Sequence, residues 1–126
     1  MTKYFLSLPH DSAEEPTMED MDPAELQEVM AAVGAFNTAI QEAGAFVMAG
    51  GLQPPSSATT VDYSGDSPVL TPGPFVEADE YLGGFWIIEA ENDDVAFEWA
   101  KQASRALRSR IEVRASRRSP VPEYGR

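Results

Sequence analysis

The feature that constrains this chain most tightly is a single apolar stripe. Asp22-Pro23-Ala24-Glu25 offers an Asp N-cap, a proline at the first helical position and an acid in the first turn. From there Leu26, Val29, Met30, Val33, Phe36, Ile40 and Ala43 recur at spacings of three and four, and Gly44 is the expected stop. A helix of about 21 residues at about 1.5 Å each is about 32 Å long. In a chain of 126 residues, one domain by length, such a stripe needs a broad sheet to cover.

The rest of the chain supplies strands. "KYFLSL" (3–8) is a short apolar strand stopped by Pro9, and the Pro- and acid-rich stretch that follows reads as a loop. "AFVMAGGL" (45–52) predicts a buried strand. "ATTVDY" (58–63) and "PVLT" (68–71) flank the turn "SGDS" and predict a hairpin, with Gly65 supplying the turn conformation. "GFWIIEA" (84–90) is the next strand. A second helix opens with Asn92 as N-cap and acids in its first turn, and its pattern places Val95, Trp99, Ala103 and Ala106 on one face. In "RIEVRA" (110–115) alternation turns Ile111 and Val113 inward and leaves Arg110 and Arg114 outside. The tail from 116 to 126, with two prolines and no periodicity, is expected to be mobile or draped over a neighbour, so the domain is expected to span 1–115.

The order strand, helix, strand, hairpin, strand, helix, strand predicts an α+β fold. It is a ferredoxin-like antiparallel sheet with two helices on one face and an inserted hairpin. Such a sheet leaves its second face bare, and strands apolar on both faces predict that a second copy covers it.

Charge narrows the partners. Residues 1–100 carry 19 acids against Lys3 alone, or 1 − 19 = −18, whereas residues 101–126 carry 2 acids and 8 bases, or +6, giving −12 in all. An acidic body repels phosphate backbones, which argues against duplex nucleic acid as a partner. No apolar run approaches the roughly 18 residues needed to span a bilayer, and the N-terminal stretch lacks a signal-peptide pattern, so a cytoplasmic location without membrane contact is expected. With no cysteine there are no disulfides, thiolate metal sites or thiol nucleophiles.

The stretches "YFLSLPHDS", "FNTAIQEAGAFVMAGGLQPPSSATTV", "GPFVEADEYLGGFWIIEA" and "AFEWA…IEVR" together resemble the YCII-related proteins, in particular the branch named for an Asp-Gly-Pro-Phe motif followed by acids and Gly-Gly. The resemblance covers residues 3 to about 115. It implies a dimeric α+β barrel in which two ferredoxin-like sheets pack face to face. It also implies proton transfer by a His and Asp pair in the broader family. Gly73, Pro74, Phe75, Glu77, Glu80, Leu82, Gly83 and Gly84 match the branch motif, but Pro72 stands where its Asp stands. The rigid Pro72-Gly73-Pro74 corner keeps its shape while losing a carboxylate.

His10, the single histidine, follows the first strand directly, and an unperturbed pKa of about 6.5 makes it the natural proton carrier. Asp11 is adjacent but points the opposite way along an extended chain, so Glu77, Asp79 or Glu80 are better orienting partners if their loop folds over the strand end. Three acids within four residues make no recognisable metal loop, and no metal or cofactor is expected. Phe75, Tyr81 and Trp86 supply aromatic surface for a substrate near the corner, although Phe85 and Trp86 must face opposite sides of the sheet and packing is the alternative duty of each. Gly50-Gly51 and Gly83-Gly84 lack the strand-glycine-helix context of phosphate loops and read as close backbone approach or bulges.

Two functions are therefore expected in rivalry. One is a cofactor-independent lyase, isomerase or cyclase acting on a small organic molecule, with His10 as acid and base. Asp11, Phe75, Glu77, Glu80, Tyr81 and Trp86 would surround its substrate. The other is a non-catalytic ligand-binding or accessory dimer, which the loss of the motif Asp favours.

Overall fold

The structure, a computed structural model, describes residues 1–10, 22–75 and 81–117. β1 (Thr2–His10) leads to α1 (Pro23–Glu42) and β2 (Phe46–Gly51). A ribbon of β3 (Thr59–Asp62) and β4 (Val69–Pro72) follows, then β5 (Tyr81–Ala90), α2 (Asp93–Leu107) and β6 (Glu112–Ala115). The four main strands are antiparallel in the order β2-β5-β1-β6, the ferredoxin-like arrangement, and β3-β4 is a separate two-stranded sheet.

Alternation along the two central strands decides which residues become core. Tyr4 and Leu6 of β1 share a face with Trp86, Ile88 and Ala90 of β5, and all five are buried beneath the helices. From α1 the stripe delivers Val29, Phe36 and Ile40 as buried residues. Met30 of the same stripe is 61% exposed. Leu6, Ile40, Ile88 and Val29 are the largest fully enclosed side chains, each worth about 1.5–3 kcal/mol of burial.

α2 turns Trp99, Ala103 and Ala106 inward as expected, but not Val95. Its buried residues are Ala96, Ala100, Ala103 and Ala106, with Trp99 at the margin against Phe36. Val95 is 37% exposed. Four alanines let the helix lie close to β5 and β6, and the bulkier Val95 and Phe97 are left outside. The cap expected at Asn92 is formed, its side chain accepting from the Val95 amide at 3.0 Å. Tyr4 then pins this helix start, donating its hydroxyl to Asp93 Oδ1 at 2.8 Å.

Two further expectations need correction. β2 is not a buried strand: it pairs with β5 alone, and most of its residues are exposed. The hairpin turn rests on Asp62, which accepts from both the amide and the hydroxyl of Ser64 at 2.9 and 2.6 Å. Gly65 does not have a positive φ there; among the described residues the positive-φ glycines are Gly44, ending α1, and Gly73.

The face of the sheet away from the helices carries Phe5, Ser7, Phe85, Ile87 and Met48. Phe5 and Phe85 stack across the strands with ring centroids 5.5 Å apart. Phe5, Phe85 and Ile87 are half-buried there and Met48 is exposed, and both helices lie on the other face. The ribbon too is apolar and exposed, with Val61, Val69 and Leu70 each more than half accessible.

Candidate functional site

The chemistry-bearing end of the molecule is where β1 finishes against the start of β5. The β1–β5 ladder runs in step from Thr2 to Leu8, then shifts, so that Pro9 faces Leu82 and His10 faces Tyr81. That bulge is where Gly83-Gly84 lies. A Cβ at Gly84 would stand 3.3 Å from the Gly50 carbonyl oxygen of β2, so the three strands close up here only because glycine leaves room. The Leu52 amide donates to the Gly83 carbonyl at 2.8 Å and carries the β2–β5 contact past the end of the strand.

Two clefts meet at this end, and Tyr81 and Leu82 line both. The first, of about 540 Å³, opens on the bare face of the sheet between β1 and β6, with Phe5, Ser7, Pro9 and the side chains of Arg110, Glu112 and Arg114 in its wall. The second, of about 570 Å³, lies between the 52–58 segment and the Pro-Gly-Pro corner and is lined by Pro54, Pro55, Val61, Pro74 and Phe75. Both volumes suit a small organic ligand.

The corner is rigid for identifiable reasons. Gly73 has φ +113°, a conformation open to glycine and strained for any other residue. Its amide donates to the Ala58 carbonyl at 2.7 Å, and its own carbonyl accepts from Thr60 Oγ1 at 2.9 Å. Prolines on both sides restrict φ further. The corner thus holds one wall of the second cleft and presents Phe75, which is 90% exposed, at its rim.

Of the residues expected at a site, the structure brings together the backbone of His10 with Tyr81, and Tyr81 with Phe75 through the shared cleft. Trp86 is elsewhere. It is 6% exposed under α1, where its indole Nε1 donates to Asn37 Oδ1 at 2.9 Å and its ring meets Phe36 edge-on at 5.2 Å, so it is occupied in packing and lines neither cleft. Asp11, Glu77, Asp79 and Glu80 lie outside the described residues. Among the described residues no three histidine or carboxylate side chains converge as a metal site would require.

Sequence reasoning missed the β6 wall of the first cleft. The alternation of Arg110, Glu112 and Arg114 marked them as one outward face, yet outward on this edge strand means toward the cleft. Also missed were Pro54 and Pro55; both are buried and brace the second cleft.

With this geometry in view, comparison with known proteins decides the kinship. The YCII-related domain model matches residues 5–118. This chain belongs to the YCII-related family. It is also similar to an uncharacterized protein of Rhizobium meliloti (strain 1021), 32% identical over 80 residues, a span covering 64% of each chain. The YCII match runs through β1, both clefts and β6, so the site described here lies wholly within the family's domain.

No helix among the described residues is long and apolar enough to cross a membrane.

Proposed function

We propose that this YCII-related protein is a homodimeric enzyme of the Asp-Gly-Pro-Phe branch that moves a proton on a small organic molecule, as a lyase, isomerase or cyclase, with His10 as acid and base. One observation carries the reading: the chain's single histidine ends β1 directly opposite Tyr81, the residue at which two ligand-sized clefts meet. The neutral imidazole takes a proton from an acidic carbon of the substrate, and the imidazolium returns it to a different atom of the same molecule, or to a leaving group. Neither step calls for a resident cofactor. Phe75 and Tyr81 give the substrate apolar and hydrogen-bonding contacts, Asp11 adds a polar one, and Glu77, Asp79 or Glu80 is the carboxylate that orients the imidazole. A second copy, seated on the bare face beside Phe5, Phe85 and Ile87, closes the first cleft and excludes water from the transfer.

Branch membership is supported by Gly73-Pro74-Phe75 and the Gly83-Gly84 bulge. The same corner supports a rival. Pro72 ends β4 where the branch has its Asp, so a non-catalytic ligand-binding dimer is the second reading.

Carbon-proton exchange separates the two readings even before a substrate has been identified. A panel of small carbon acids incubated with the protein in D2O and followed by NMR is expected to include compounds whose C–H signals wash out. His10→Gln is expected to end that exchange while leaving far-UV circular dichroism and molecular mass unchanged. Exchange that survives the substitution removes His10 from the chemistry, and a panel with no exchange but with ligands that raise the melting temperature favours the binding protein.

A further inference from the structure

The first cleft contradicts the charge of the molecule that contains it. Residues 1–100 sum to −18, yet among the described residues the ionic side chains in this wall are Arg110, Arg114 and Glu112, two positive against one negative, or +1. Register explains how they gather. Phe5 pairs with Arg114 and Ser7 with Glu112, so alternation sends all four to the bare face. Arg110 has a partner within the protein. Arg114 is exposed and forms no ion pair among the described residues, in contrast to Arg108, which reaches Glu28 at 3.0 Å. Beside these polar groups Phe5 presents an aromatic ring already stacked on Phe85.

We propose that the first cleft binds a planar organic monocarboxylate, its carboxylate held by Arg114 with support from Arg110 and its body lying against Phe5. The proposal rests on the functional reading above and deepens it by naming the substrate's class. Guanidinium is the cation whose planar fork matches a carboxylate's two oxygens. Glu112 makes the wall suited to a single negative charge, because one charge neutralises the described wall whereas a dianion such as a phosphate monoester leaves excess negative charge beside Glu112 within an acidic body. The acidic body around the cleft repels anions in general, so the local positive wall also acts as a filter for where an anion can settle.

Benzoate serves as an unreactive probe, with benzamide as its neutral counterpart and phenyl phosphate as the dianion. Titrations followed by protein NMR at low salt and pH 7 are expected to show benzoate binding about tenfold or more tighter than benzamide, the range for a hydrogen-bonded charge. Benzoate should also outbind phenyl phosphate, and added salt should erode its advantage. Arg114→Gln is expected to erase the preference for benzoate over benzamide, and Arg114→Lys to keep part of it, each with an unchanged far-UV circular dichroism spectrum showing that the fold is retained. Equal binding of benzoate and benzamide, a preference that survives Arg114→Gln, or tighter binding of phenyl phosphate would each overturn the proposal. The probe does not react, so these results stand apart from the exchange experiment. Loss of His10-dependent exchange would leave the benzoate data in force, and a failure of benzoate to bind would leave the exchange intact.

Discussion

Tyr4 shows how much a single side chain can connect. It is buried under the helices, yet its hydroxyl reaches Asp93 at the first turn of α2, joining the first strand to a helix 89 residues further on. The hydrogen bond to Asp93, then burial, then the Asp93 charge hold the phenol's pKa above its ordinary 10.0. A group whose folded pKa is raised contributes stability in full below its unfolded pKa and loses it as pH climbs through the folded value. The gap in melting temperature between the protein and Tyr4→Phe is therefore expected to stay constant from neutral pH to about pH 10 and to shrink above that. A gap that widens in alkali would reverse the assigned donor. At this scale local chemistry was legible from the chain: Asn92 was recognisable as a cap because capping needs only its own backbone. Arg108 was not, although it ends α2 in the left-handed conformation with φ 54°. Glycine marks that position in most helices, and an arginine there carries no sign of it. Alternation likewise separated Phe85 from Trp86 but left open which of them the helices would cover.

Among the elements, β5 decides the arrangement, since it is central and its glycines set how near β1 and β2 can come. Gly84→Ala would place a methyl 3.3 Å from the Gly50 carbonyl oxygen, a backbone atom that cannot swing aside, whereas Gly51 has nothing within 4 Å of its added Cβ. Gly84→Ala is expected to lower stability by about 1–3 kcal/mol in urea unfolding, and Gly51→Ala to stay within about 0.5 kcal/mol. Equal effects at the two positions would mean that the strands are spaced otherwise. Periodicity was enough to find both helices, the ribbon and the four main strands. It was silent on whether a strand lies at the centre or the edge, which is why "AFVMAGGL" read as buried. An edge strand differs from a central one by the absence of a neighbour, and no residue of β2 records that absence. The same silence hid the first cleft, because Arg114 on an edge strand looks like any solvated arginine until β1 and its Phe5 are set beside it.

For the molecule as a whole, the unequal faces of the sheet matter most. One face is sealed by two helices over Leu6, Ile88 and their neighbours, and the other carries stacked Phe5 and Phe85 with Ile87, each half-buried, beside exposed Met48. Contiguous apolar surface of this kind is costly in water, and in the proposed function it is the seat of a second copy that also closes the cleft holding the substrate. The dimer and the site therefore stand or fall together. Sedimentation equilibrium of the purified protein at micromolar concentration tests this most directly. The protein is expected to sediment at twice its chain mass of 13.7 kDa, and Ile87→Asp, which places a charge on the bare face, is expected to sediment at the mass of one chain with its helical content retained. A wild-type protein that sediments as a single chain at that concentration would contradict the account.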